Sequence, residues 1–138
     1  MSDVKVTVRE ANGRRYASTG SKWEPIIGYS RAVRTGGVIT VTGTVGVNAD
    51  GTYPDGVAAQ ARRALTIIQA AVEALGGRLT DVVRTRMFVV DIAKWEELGK
   101  AHGEVFGEIR PATTMVEVTK LIDAAALVEI EADAIVAS

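Results

Sequence analysis

From Gly56 to Leu75, the apolar residues Val57, Ala61, Ala64, Leu65, Ile68, Val72 and Leu75 recur at the 3.6-residue period of a helix and share one face. Arg62, Arg63, Gln69 and Glu73 fall largely on the other side. Asp55 stands where an N-cap is expected, and Gly76-Gly77 ends the segment. A helix with one apolar stripe must bury it against a second layer. The rest of the chain has to supply that layer.

Most of what surrounds the helix reads as strand. Residues 3–9 alternate, with Val4, Val6 and Val8 on one side, and predict a first strand. Ser18 to Lys22 is polar and reads as a loop. Tyr29–Arg34 and Val38–Gly43 flank Gly36-Gly37 and predict a hairpin, and Asp50-Gly51 marks a further turn. Val82 to Ile92 is dense in β-branched residues, with Val83, Thr85, Met87 and Val89 on one face and Arg84, Arg86, Phe88 and Val90 on the other. A second helix is expected from about Lys94 to Phe106, with Trp95, Leu98, His102 and Val105 inward. Pro111 stops it; residues 112–119 and Leu127–Val136 are the last strands.

The result is one α+β domain over residues 1–138, ordered β-β-β-α-β-α-β-β, a sheet with both helices on one face. The other sheet face, carrying Phe88 and Val90, is then too apolar for water and predicts an oligomer interface.

Composition narrows the chemistry. Sixteen basic and seventeen acidic side chains leave a formal charge of −1, with no basic stripe interleaved with aromatics, so a nucleic-acid partner is not expected. The absence of cysteine removes disulfides, thiolate metal sites and a cysteine nucleophile. Met-Ser-Asp-Val-Lys-Val lacks the apolar core of a signal peptide and no apolar run reaches membrane-spanning length, so a cytoplasmic protein off the membrane is expected. No phosphate-cradling glycine pattern or Gly-x-Ser-x-Gly elbow occurs. No cofactor and no metal are expected.

His102, the single histidine, lies on an apolar helical stripe, the ordinary place for a hydrogen-bonded core residue. Glu129 and Glu131 alternate away from Val128 and Ile130. They are either a solvated strand face or the wall of a cleft, where desolvation would raise a carboxyl pKa and suit it to proton transfer. Arg84 and Arg86, beside Phe88, read as an ion pair across strands or subunits or as an anion clamp, since a guanidinium fork matches a carboxylate.

Several stretches also occur together in order: Gly28-Tyr29-Ser30-Arg31-Ala32-Val33, Val41-Thr42-Gly43, Ala58-Ala59-Gln60-Ala61, Arg84-Thr85-Arg86-Met87-Phe88-Val89, Pro111-Ala112 with Val116-Glu117-Val118, and Val128-Glu129-Ile130-Glu131-Ala132. This set resembles the RidA/YjgF family of small imine and enamine deaminases. The resemblance implies a chorismate-mutase-like homotrimer whose mixed sheets line a central barrel, with ligand clefts between subunits. It implies that Glu129 positions the water that attacks an imine carbon, that Tyr29 and Ser30 shape the pocket, and that Gly43 lies beside the ligand. Met115 falls where the family often carries cysteine.

Thr113 falls on the arginine that in the deaminating members holds the substrate carboxylate. Losing such a pair costs several kcal/mol of binding. Three readings follow. Arg86 or Arg110 supplies the cation instead; or the substrate is uncharged there and Thr113, Thr114 and Glu129 provide hydrogen bonds; or the chain is a small-molecule-binding trimer without turnover. The older family label of endoribonuclease does not suit a near-neutral chain.

Overall fold

The alternating runs become the strands β1 (Thr7–Ala11), β2 (Arg14–Ser18), β3 (Ala32–Thr35), β4 (Val38–Val45), β5 (Val82–Val89), β6 (Ala112–Glu117) and β7 (Val128–Ile135). The helical patterns become α1 (Val57–Ala74) and α2 (Trp95–Phe106). This is a computed structural model, and it describes residues 3–137. The strands form a single seven-stranded sheet in the order β1-β2-β3-β4-β7-β5-β6. Only β5 and β6 run parallel, joined through α2; every other pairing is antiparallel. The expected α+β architecture, a mixed sheet with its helices on one face, is the one observed.

Small residues line the sheet beneath the helices. Ala17 pairs with Ala32, Ala32 with Val41, Val41 with Ala132, Ala132 with Thr85 and Thr85 with Thr113. The row from Ala17 to Thr85 is buried. α1 answers with Ala61, Ala64 and Ala71 among its larger apolar residues, so the layers approach closely. A Cβ on Gly46, just past β4, would collide with the Gln60 carbonyl of α1.

Four expectations change. The single strand at 3–9 is a hairpin, β1–β2, turning at Asn12 (φ 54°) and Gly13 (φ 73°), so the sheet gains a strand. Asp55 does not cap α1; the cap position is Gly56, at φ 90°, without a side-chain bond. Val83 is exposed, because β5 slips by one residue against β7 between Val82 and Arg84. Trp95, at the first position of α2, is 56% exposed, and the inner stripe is Leu98, Ala101, His102 and Phe106.

The uncovered sheet face also differs from the apolar surface expected of it. Its centre is charged: Arg86 lies 3.6 Å from Glu131 and 3.3 Å from Asp133, with Arg84 in register beside Asp133. Phe88 and Val116 pair alongside, and Val90 lies beyond the end of β5.

Candidate functional site

β4 carries one residue more than its partner in the middle of the sheet, where pairing passes from Val41–Ala132 to Thr44–Ile130. The bulge falls on Thr42 and Gly43, and such bulges bend a strand and re-aim its neighbours. Thr42 Oγ1 donates to the Ser30 carbonyl (2.9 Å) and Thr44 Oγ1 to the Thr42 carbonyl (2.7 Å), which fixes it. Opposite stands Glu129 of β7. A Cβ built on Gly43 would lie 2.6 Å from Glu129 Oε2, so the bare Cα is what admits the carboxylate.

Glu129 is partly buried between strands, and burial pushes its pKa up. The nearby positive charge of Arg31 pulls it down, and Glu131, two residues along the strand, pushes it up again. Burial dominates, leaving a carboxyl suited to taking and giving a proton.

Arg31 is only 7% exposed. Its Nη1 donates to the Gly43 carbonyl (2.9 Å) and Thr44 Oγ1 (3.2 Å), its Nε to Thr19 Oγ1 (3.3 Å), and its Nη2 to the Tyr29 hydroxyl (3.4 Å). Sequence reasoning gave this residue no role. The signal was an arginine beside Ala32, at the start of a strand whose neighbours point into the protein.

Two further groups approach from loops that the sequence left unassigned. Tyr53 donates to Asp123 Oδ2 (3.2 Å), and its own pKa is pushed up to about 12 by burial, by Asp123 and by Glu129. Gln60 of α1 holds both loops: Nε2 donates to the Pro54 and Ala125 carbonyls (3.2 and 3.1 Å), and Oε1 accepts from the Leu127 amide (2.8 Å).

The residues singled out from sequence separate into two sets. Tyr29, Gly43 and Glu129 come together around Arg31, and Ser30 joins them through its carbonyl. Tyr29, Ser30 and Thr42 also line an open groove of about 830 Å³ that extends over β1 and β2 to Arg9 and Tyr16. Arg86, Phe88 and Thr114 share the uncovered sheet face with Glu129, but Arg86 is engaged by Glu131 and Asp133.

Thr113 and Met115 pair with Thr85 and Met87, on the helix side of the sheet, away from Glu129. Thr113 Oγ1 is 2.8 Å from Thr85 Oγ1, which is 2.9 Å from His102 Nε2, and it donates to the Pro111 carbonyl. His102 therefore has the bonded core environment expected of it, and burial lowers its pKa. Arg110 donates to the Gly107 carbonyl at the end of α2. Among the described residues no cluster of three His, Cys, Asp or Glu is placed to hold a metal ion.

Known proteins resemble this arrangement along most of the chain. The family model described as Endoribonuclease L-PSP matches residues 19–136. A crystal structure of a Mycobacterium tuberculosis member of the YjgF/YER057c/UK114 family superposes with a TM-score of 0.83 at 50% identity, covering 89% of this chain and 99% of that one. An uncharacterized Streptomyces coelicolor protein is 33% identical over 87% of this chain and 90% of its own length. The 2-iminobutanoate/2-iminopropanoate deaminase of Escherichia coli is 36% identical over 67% of this chain and 76% of its own. With the match running from Thr19 to Val136, through the Arg31, Gly43 and Glu129 constellation, the chain belongs to the RidA/YjgF family.

Proposed function

We propose that this chain is a single-domain Rid protein that forms a homotrimer and hydrolyses small imines or enamines at a cleft built around Glu129. The observation that carries the reading is the Glu129 carboxyl, partly buried, raised in pKa, and facing a residue that has no side chain to obstruct it. Glu129 accepts a proton from water as the oxygen adds to the C=N carbon. The nitrogen gains a proton, the carbinolamine collapses, and a carbonyl compound and ammonia leave. A carboxyl whose pKa lies nearer neutrality than usual serves both halves of that proton traffic. Tyr29 and Ser30 would border the substrate. The acids Glu129, Glu131 and Asp123 make phosphate a poor occupant, which favours a small molecule over RNA.

Assembly is supported by Arg84, whose buried Nε has no hydrogen-bond partner among the described residues of one chain. Within one chain Thr113 and Met115 lie away from Glu129, so they would reach its cleft only from a second copy. The test is hydrolysis of 2-iminopropionate and of an imine without a carboxylate. Glu129→Gln should lower kcat by about 100-fold or more while the fold is kept, in the range for a lost proton-transfer group, and Gly43→Ala should lower it by displacing the Glu129 carboxyl. Full activity of Glu129→Gln on every substrate turned over would remove the mechanism.

A second reading, binding without turnover, is favoured by one observation: the hydroxyl of Thr113, the residue that the resemblance sets at the family's carboxylate-binding arginine, is occupied by Thr85 and Pro111. It predicts a saturable ligand-dependent rise in Tm with no product formed.

A further inference from the structure

We propose that Arg31 is the positioning residue of the Glu129 site: its buried guanidinium locks Tyr29 and the Gly43 bulge in place and supplies the positive charge that acts on this carboxylate. The inference goes beyond the hydrolytic reading and rests on Glu129 being its working group. A guanidinium offers five N–H donors in a rigid plane. Here four donor contacts are committed, to Thr19, Gly43, Thr44 and Tyr29, which belong to three separate stretches of chain. Those stretches are the loop after β2, the bulge of β4, and the turn leading into β3. All of them border Glu129 or the groove beside it.

A buried cation in such a place needs a counter-charge or a full set of acceptors. Arg31 has the acceptors, yet the carboxylate on which its charge acts is Glu129, to which it makes no direct ion pair. The glutamate is thus left free to bind water while it still feels the charge. Arg86, which shares this face, is neutralised by Glu131 and Asp133.

The groups facing Glu129 are few. Arg31 approaches from the turn before β3, and Glu131 lies on its own strand. Tyr53, bonded to Asp123, approaches from the loop after β4. From β5 comes Phe88, which carries no charge, with Arg86 one pair further along. Removing Arg31's charge leaves burial and Glu131 acting alone, both in the direction that favours the protonated acid.

The test is titration of the Glu129 carboxyl by carbon-13 NMR, assigned by its loss in Glu129→Gln, which requires no turnover. Arg31→Gln should raise the midpoint, as expected for loss of a nearby opposite charge. In an active preparation the acid limb of the kcat profile should move by the same amount. Arg31→Lys, which keeps the charge but cannot reach all four acceptors, should restore the midpoint while kcat falls about tenfold. An unmoved midpoint in Arg31→Gln overturns the proposal. If that variant does not fold, an Arg31→Lys enzyme with wild-type kcat, or with a raised midpoint, overturns it. Loss of all hydrolysis with the expected midpoints would instead count against the hydrolytic reading alone.

Discussion

At the scale of single residues, the site rests on an acid kept in a place that disfavours its charge. The sign of the consequence follows from linkage. Below an ordinary glutamate pKa of about 4.3 both folded and unfolded chains hold the proton at Glu129, and there is no penalty. As pH rises the unfolded chain gives up its proton first, because the folded pKa is raised, and stability is lost until the folded carboxyl also ionises. Glu129→Gln should therefore be more stable than wild type at pH 7, with the difference vanishing near pH 4. Denaturant melts at the two pH values check it, and a variant less stable at pH 7 would contradict the burial argument. Strand alternation set Glu129 and Glu131 alike apart from Val128 and Ile130, and only the resemblance singled out Glu129; its place against Gly43 is visible in the fold alone. Arg31 was not singled out, because its importance comes from acceptors at Thr19, Gly43 and Thr44 that are brought to it only by the fold.

At the scale of elements, regular periodicity was readable and local exceptions were not. α1 was placed within a residue or so of its observed ends, because a sustained apolar stripe leaves little choice. The β1–β2 hairpin was missed although Asn12-Gly13 is a strong turn signal, because the short flanking strands are mostly polar and exposed and fully bury only Ala17. Bulges in β4 and β5 leave no mark on alternation until strands are paired. The C-terminus of α1 shows a similar dependence on pairing. Arg15 and Arg34, on neighbouring strands, both donate to the Leu75 carbonyl (2.8 and 2.7 Å), bringing positive charge to the negative end of the helix. Gln60 is the other tie between layers. Gln60→Ala removes partners from the Pro54 and Ala125 carbonyls and the Leu127 amide. It should cost about 1–3 kcal/mol in a urea melt and speed hydrogen exchange at Leu127. Wild-type exchange there would show the loops to be held by other means.

At the scale of the whole molecule, the uncovered face and the two sheet edges decide behaviour in solution. The face is mixed, with a charged centre and with Phe88 and Val116 beside it; Val116 is 42% exposed. If three copies close around that face, light scattering gives the mass of three chains, and Val116→Lys shifts it toward one chain while circular dichroism is kept. A trimer unaffected by Val116→Lys would move the interface elsewhere. The trimer was expected from resemblance and an interface from an apolar face; the centre of that face is instead the ion-pair cluster of Arg86, Glu131 and Asp133, with Phe88 and Val116 beside it.

The sheet ends on β1 at one side and on β6 at the other, and within one chain each of these two edge strands has a single neighbour. β6 is also the strand that carries Thr113 and Thr114. An open edge strand is a template for unwanted pairing, so a single chain that leaves β6 uncovered would be prone to clumping. Substitutions on this strand should therefore alter soluble yield as well as any contact that Thr113 or Thr114 makes with a ligand, and the two effects must be scored separately in any screen.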